Sequence, residues 1–485
     1  MSKAETGKAI FLEEATVETL QRMMDDGDLT SFELVMGYLE RIAAYDKSGP
    51  RLNSVLEINP DALHIAEAMD RERARKGPRG PLHGIPVLLK DNIDTGDKMH
   101  TSAGSLALAG SYAPEDSFVA RRLREEGAVI LGKANMTEWA NFMTDNMPNG
   151  YSSRGGQVLN PYGPGKHDVG GSSSGSAAAV AANLVTLAVG TETSGSILNP
   201  ASANSIVGIK PTVGLISRSG IIPIAHSQDT AGPLARTVTD AAILLGALVG
   251  VDARDPATWS SEGRYFRDYT QFLHPDGLKG SRLGIPRSTF EKLGDDRLPL
   301  MDAALEALKD AGAELVDIEM PEAPKDITVL TYEFKSDLNA YLRRLDPSVP
   351  IHSLKELIEF NEKDPERMLK YGQTLLVASE KTSGTLTEPE YITARARDLY
   401  MSRTFGIDRI LSTYRLDAIV FPHVFGAAIA AKAGYPSITV PAGYTQAGRP
   451  MGITFTAGAY SEPILIRLAY AFEQVTKHRR PPKLE

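Results

Sequence analysis

An α/β fold with one sheet core and a helical insertion is predicted for this 485-residue chain. Three observations carry that expectation. Short apolar runs at Ile85–Leu89, Ala128–Leu131 and Val185–Val189 alternate with helix-forming segments between Leu82 and about Gly250, the pattern of a sheet with helices on its faces. Glycine and serine gather at Tyr151–Ser176 and Ser194–Gly232, at strand ends, where open α/β sheets place their functional sites. Strand-like segments return at Ala418–Phe421, Ser437–Val440 and Gly452–Phe455 after a long helical stretch.

The chain opens with helices. One covers Val17–Met24, and a second starts at Thr30, where Thr30 and Glu33 form a capping box ahead of the stripe Phe32, Leu34, Val35, Tyr38, Leu39 and Ile42. A third runs over Ala62–Arg75 and stops at Lys76-Gly77-Pro78. From Leu298 to Arg415 the pattern is helical, with Leu300–Ala311, Ile327–Leu345, Ser353–Phe360 and Pro389–Tyr414 as its elements. This reads as a cap-like insertion over residues 290–415. The closing helix, Pro463–Thr476, carries Ile464, Ile466, Leu468, Phe472 and Val475. With no repeat and no linker, residues 1–485 read as a single domain.

Hydrophobic residues make up 42% and charged residues 23% of the chain, enough to bury and desolvate a polar group in a large core. The net charge of −9 is spread without blocks, so nucleic acid is not expected as a partner. The absence of cysteine excludes thiol nucleophiles, disulfides and cysteine zinc sites. No HExxH or clustered His/Asp spacing occurs, so neither a metal nor another cofactor is expected. Met1 to Thr16 has no apolar run of signal-peptide length, and no window reaches the roughly 18 apolar residues of a membrane span. A cytoplasmic protein without a membrane partner is expected, as a monomer or homodimer.

Three segments carry chemistry. In Pro86-Val87-Leu88-Leu89-Lys90-Asp91-Asn92 a lysine ends an apolar strand. Such a lysine either snorkels to water or, in a central strand, is buried and becomes a usable base as its pKa falls. Gly170-Gly171-Ser172-Ser173-Ser174-Gly175-Ser176 precedes the alanine run Ala177–Ala182, which places the serines at a helix entrance. There they serve as caps, as an anion site or as a catalytic loop. The strand from Val185 enters Gly190-Thr191-Glu192-Thr193-Ser194-Gly195-Ser196. A helix of about ten residues rises roughly 15 Å and a strand of about six returns roughly 20 Å. Ser172 and Ser196 can therefore share one sheet edge. Gly195 would let the N–H groups of residues 193–196 converge on one point, as an oxyanion hole requires.

These segments resemble the amidase signature enzymes. The resemblance extends over the whole chain, through Gly84–Asn92, the serine-rich loop, Gly190–Ser196, Gly208-Ile209-Lys210-Pro211-Thr212-Val213-Gly214 and Gly434-Tyr435-Pro436-Ser437-Ile438-Thr439-Val440-Pro441-Ala442-Gly443. It implies a mixed central β-sheet wrapped by helices, with a signature core over residues 70–250. It also implies hydrolysis of a small-molecule amide by a Ser-cisSer-Lys triad. In that triad neutral Lys90 takes a proton through Ser172 from Ser196, and Ser196 carries the acyl group. Thr193, Ser194, Gly195 and Ser196 correspond to oxyanion donors. Ala140, beside Asn141 in Trp139-Ala140-Asn141-Phe142, corresponds to a substrate-side backbone acceptor.

Three positions depart from the commonest family pattern. Glu192 replaces an aspartate, Ser194 a glycine or aspartate, and Leu198 an arginine. Glutamyl-tRNA amidotransferase subunits usually carry that arginine, so a standalone amidase is expected. Tyr151–Gln157 and Ser219–Ile224 look closest to bacterial amidases acting on peptide-like or aryl amides.

The alternatives are an α/β-hydrolase esterase centred on Ser173 and an A-type subunit of an amidotransferase complex. Gly171-Ser172-Ser173-Ser174-Gly175 matches G-x-S-x-G, but the strand that such an elbow needs is poor, and neither His423 nor His478 has convincing acidic company.

Overall fold

Aliphatic runs buried on both faces become the strands of one sheet in this computed structural model, which describes residues 12–294 and 296–484. The expectation for Met1 to Thr16 therefore lies mostly outside the described residues. In chain order the strands are β1 (Val55–Ile58), β2 (Pro86–Lys90), β3 (Val129–Ala134), β4 (Leu187–Glu192), β5 (Val207–Lys210) and β6 (Thr230–Ala235). They continue as β7 (Arg282–Ile285), β8 (Glu314–Asp317), β9 (Ala418–Pro422), β10 (Ser437–Tyr444) and β11 (Pro450–Thr456). All eleven form one mixed sheet in the order β1-β3-β2-β4-β6-β5-β10-β11-β9-β7-β8. The predicted α/β class is the observed one.

Around β2 the sheet is parallel. Val87, Leu88 and Leu89 pair with Leu187, Ala188 and Val189 of β4 on one side, and β3 pairs on the other. Lys90 thus ends a strand flanked by two neighbours. β4 then pairs antiparallel with β6, Glu192 opposite Thr230.

Helices cover both faces. Ser31–Arg41 starts at the expected box, with the Thr30 side chain accepting from Glu33 N–H and the Glu33 carboxylate accepting from Thr30 N–H. The closing helix, Glu462–Thr476, buries Leu465, Ile466, Leu468, Ala469 and Phe472, whereas Val475 at its end is 55% exposed and outside the core. Among the described residues no helix is long and apolar enough to cross a membrane.

The expected insertion is shorter than 290–415. Helix Leu298–Asp310 links the parallel neighbours β7 and β8, and its Met301, Ala304, Leu305 and Leu308 join the main core. Glu314–Asp317 is an edge strand whose four residues are at most half-buried, too short and polar to stand out in a helical context. Helices from Thr328 to Leu399 do form a separate apolar cluster, which includes Leu330, Phe334, Leu338, Leu376 and Tyr391. Trp139, Phe142, Ile222 and Ile224 belong to the same cluster, so this region packs on loops at the sheet's edge. The expected helix Pro389–Tyr414 is interrupted: Pro389–Leu399 passes through a widened turn, with Gly406 non-helical, before Asp408–Tyr414.

Candidate active site

Lys90 does not reach water. Its side chain is fully buried, with Nζ 2.8 Å from Ser172 Oγ, 2.9 Å from Thr191 Oγ1 and 3.2 Å from the Thr191 carbonyl. Burial lowers its pKa to about 7, against the opposing pull of the Asp229 and Glu192 carboxylates. Near neutrality much of this lysine is therefore an uncharged amine with a lone pair beside a serine hydroxyl.

The serine loop divides its work. Gly171–Ser172 is a cis peptide, and the helix runs over Ser174–Ala181. Gly175 is needed there, because a Cβ would sit 2.2 Å from the Ser54 carbonyl oxygen. The Ser173 hydroxyl donates to the Thr191 carbonyl at 3.0 Å and accepts from Thr191 N–H at 3.2 Å, fastening the loop to β4. Ser174 donates to the Gly170 carbonyl at 2.6 Å. Ser172 is the member beside Lys90. This arrangement disfavours an esterase centred on Ser173, whose hydroxyl is committed to the backbone. His423, the late histidine considered for it, bonds to Ser202 instead, at 2.6 Å.

Ser173 N–H donates to the Ser196 carbonyl at 3.1 Å, so the two serine loops meet at one sheet edge, as helix and strand lengths allow. Beyond β4 the chain turns through Thr193–Ser196 into the short helix Leu198–Ala203. Gly195 adopts φ +85°, a conformation that favours glycine. Fully buried Glu192 organises this turn: its carboxylate accepts from the N–H groups of Gly195 (2.7 Å), Ile197 (2.7 Å) and Leu198 (3.0 Å). One expectation is corrected here. The Gly195 N–H points at Glu192, so it is not an oxyanion donor in this structure, and the residue's part is to make the turn. Ser194 is exposed and Ser196 is 7% exposed, so the turn keeps one face toward solvent.

Glu192→Ala would orphan three buried N–H groups on either side of Ser196, at roughly 1 kcal/mol or more each. The expected result is a lower Tm and a fall in kcat larger than the rise in KM. Thermal melts and steady-state kinetics check this; an unchanged kcat would assign the carboxylate to stability alone.

A cleft of about 610 Å³ lies beside this turn, with Thr193 in its lining. Asn92, Ala140, Thr191 and Thr193 line it near the serines, and Tyr341 and Arg344 line it on the helical side. Ile221, Ile222 and Ile224 form an apolar wall. Ala140 lines the cleft; Asn141 is exposed and does not line it. Trp139, Ala140 and Asn141 are consecutive left-handed residues at φ 49°, 54° and 71°. Each costs on the order of 1–3 kcal/mol outside glycine. Trp139 N–H on the Ala103 carbonyl and Phe142 N–H on the Trp139 carbonyl, both 2.9 Å, hold the loop in place.

Sequence reasoning missed several residues here. Thr191 and Asn92 lie inside the recognised segments, but the contact of Asn92 Nδ2 with Thr191 Oγ1 at 3.0 Å is tertiary. Asp229 and Tyr341 had no local signal. Metal spacing also missed a cluster beside the cleft, which His226 and Asp337 line: His226, Glu333 and Asp337 bring ligand atoms within 4.8 Å of one another. Each is already engaged: His226 Nδ1 meets Asp337 at 2.9 Å, while Tyr391 OH and Ser227 N–H donate to Glu333.

A fold and loop set of this kind defines the amidases, whose family model matches residues 33–466; the chain belongs to that family and is a hydrolase of amide bonds. A protein of Arabidopsis thaliana described as a probable amidase is 44% identical, over 99% of this chain and 94% of its own. The solved peptide amidase of Stenotrophomonas maltophilia is 48% identical, with a TM-score of 0.92 over 98% of this chain and 99% of its own. More distant is a glutamyl-tRNA(Gln) amidotransferase subunit of Halorhodospira halophila, 32% identical over 97% of this chain and 99% of its own.

Proposed function

We propose that the enzyme hydrolyses peptide-type carboxamides through an acyl-enzyme on Ser196, with Ser172 relaying protons to Lys90. The carrying observation is the fully buried lysine whose Nζ lies 2.8 Å from Ser172 Oγ. Similarity to a peptide amidase supports the substrate class, as does a cleft with an apolar wall and polar groups converging at its inner end.

The reaction balances as follows. Ser196 Oγ bonds to the amide carbonyl carbon while its proton passes to Ser172, whose own proton passes to the Lys90 lone pair. The oxyanion accepts from the N–H groups of Thr193, Ser194 and Ser196, and the Ala140 carbonyl accepts from the substrate. The proton returns through Ser172 to the nitrogen, the C–N bond breaks, and ammonia or an amine leaves. Water then attacks the ester by the same relay, giving the acid and free Ser196.

All of these groups lie in one chain, so a monomer or homodimer would contain a complete site, without a metal. The isolated chain is expected to release ammonia from a peptide amide, and a chelator should not slow it. Loss of activity with EDTA and recovery with zinc would overturn metal independence and direct attention to His226, Glu333 and Asp337. Failure of the chain alone to hydrolyse any peptide amide would favour a role within a larger complex.

A further inference from the structure

We propose that Asp229 is a positioning residue of the reaction, holding Thr193 against the cleft wall and opposing the cation that Lys90 becomes on taking the nucleophile's proton. The proposal rests on the Ser196–Ser172–Lys90 reading and adds a fourth group to it.

Asp229 immediately precedes β6, is half-buried and lines the cleft. One oxygen accepts from Thr193 Oγ1 at 2.5 Å; the other accepts from the N–H groups of Ile224 at 2.8 Å and Ala225 at 3.0 Å. A single carboxylate therefore ties the nucleophile turn to the apolar wall. Displacing it would move Thr193 and Ile224 together.

All three of those donors are neutral, so the negative charge acts at longer range. The charged and titratable groups around it come from several elements: Lys90 at the end of β2, Glu192 at the end of β4, Arg218 and His226 in the preceding loop, and Asp337 on the helix Thr328–Leu342. Asp337 opposes ionisation of Asp229, whereas Arg218 and Lys90 are attracted by it. Glu192 also attracts Lys90, but its oxygens are bonded to three backbone N–H groups. Proton transfer to Lys90 creates a fully buried ammonium. A fixed anion favours that state over the neutral amine preceding it, which is preorganised electrostatic stabilisation. Burial raises the Asp229 carboxyl to about 6 and lowers Lys90 to about 7, so both groups titrate close to neutrality.

The test is the pH profile of kcat/KM on a peptide amide for wild type, Asp229→Asn, Thr193→Val and Lys90→Ala, with thermal melts to confirm folding. Wild type should rise on its acid side with the steepness of two ionisations. Asp229→Asn should rise with one, and that limb should shift to lower pH because the amine has lost a neighbouring anion. Its kcat should fall about 10²-fold. Thr193→Val keeps the carboxylate but removes a hydrogen bond that lowers its pKa, so its limb should keep the steepness of two ionisations while kcat falls roughly tenfold. An Asp229→Asn enzyme with the wild-type steepness and limb overturns the proposal. Should that variant fail to fold, Thr193→Val decides alone, and a wild-type kcat overturns it. Lys90→Ala separates the two readings: if it keeps the limb, the triad assignment fails; if it loses the limb while Asp229→Asn changes nothing, only the role of Asp229 fails.

Discussion

Ser196→Ala is expected to reduce kcat/KM on the order of 10⁶-fold, the scale seen when the nucleophile of a hydroxyl triad is removed. Thermal stability should stay close to wild type, because the turn is held by Glu192 and by the Ser173–Ser196 backbone contact. Ser172→Ala should cost less, since a water can occupy the space between Ser196 and Nζ and pass the proton. The double variant should be no worse than Ser196→Ala alone, because the members act as one unit. Kinetics on all three, with mass spectrometry for an acyl or sulfonyl adduct, check this. Adduct formation on Ser173 in the Ser196→Ala enzyme, with activity retained, would restore the esterase reading that the Ser173 contacts disfavour.

Much of the site could be read from local sequence because its residues lie at element ends. An apolar strand ending in lysine, a serine-rich helix entrance and a glycine-marked turn after a strand are each written in consecutive residues. Helix and strand lengths allow the two serine loops to meet, and Ser173 N–H does reach the Ser196 carbonyl. What stayed hidden depends on contacts across the fold. Whether Lys90 snorkels or is buried depends on β3 and β4 flanking β2, a pairing its own residues do not encode. The fate of the Gly195 N–H depends on where the Glu192 side chain folds back. Asp229 and Tyr341 come to the cleft from distant parts of the chain, so no spacing marks them. The same limit explains the fold errors. β8 is an exposed edge strand, and without its pairing to β7 a four-residue polar segment reads as part of a helical region.

Lys90→Ala is expected to lower kcat/KM by about 10²–10⁴-fold, the usual range for a positioned base, and to remove a limb from the pH profile. The sign follows from the shift. Burial lowers the Lys90 pKa from its ordinary value to about 7, and only the neutral amine can take a proton, so the wild-type rate must rise as pH increases through that region. Without the lysine this rise disappears. Lys90→Arg should be no better than Lys90→Ala, because a guanidinium stays charged and has no basic lone pair; it would also bring a permanent cation into a fully buried site, so its fold should be checked by thermal melting. Exogenous primary amines give a sharper test. In Lys90→Ala the vacated space next to Ser172 and Thr191 can admit a small amine, and rescue should grow with the fraction of that amine in its neutral form. A surface lysine would respond differently: its removal would leave both rate and limb nearly unchanged. That outcome would withdraw the base assignment, since the 2.8 Å contact with Ser172 would then be structural only.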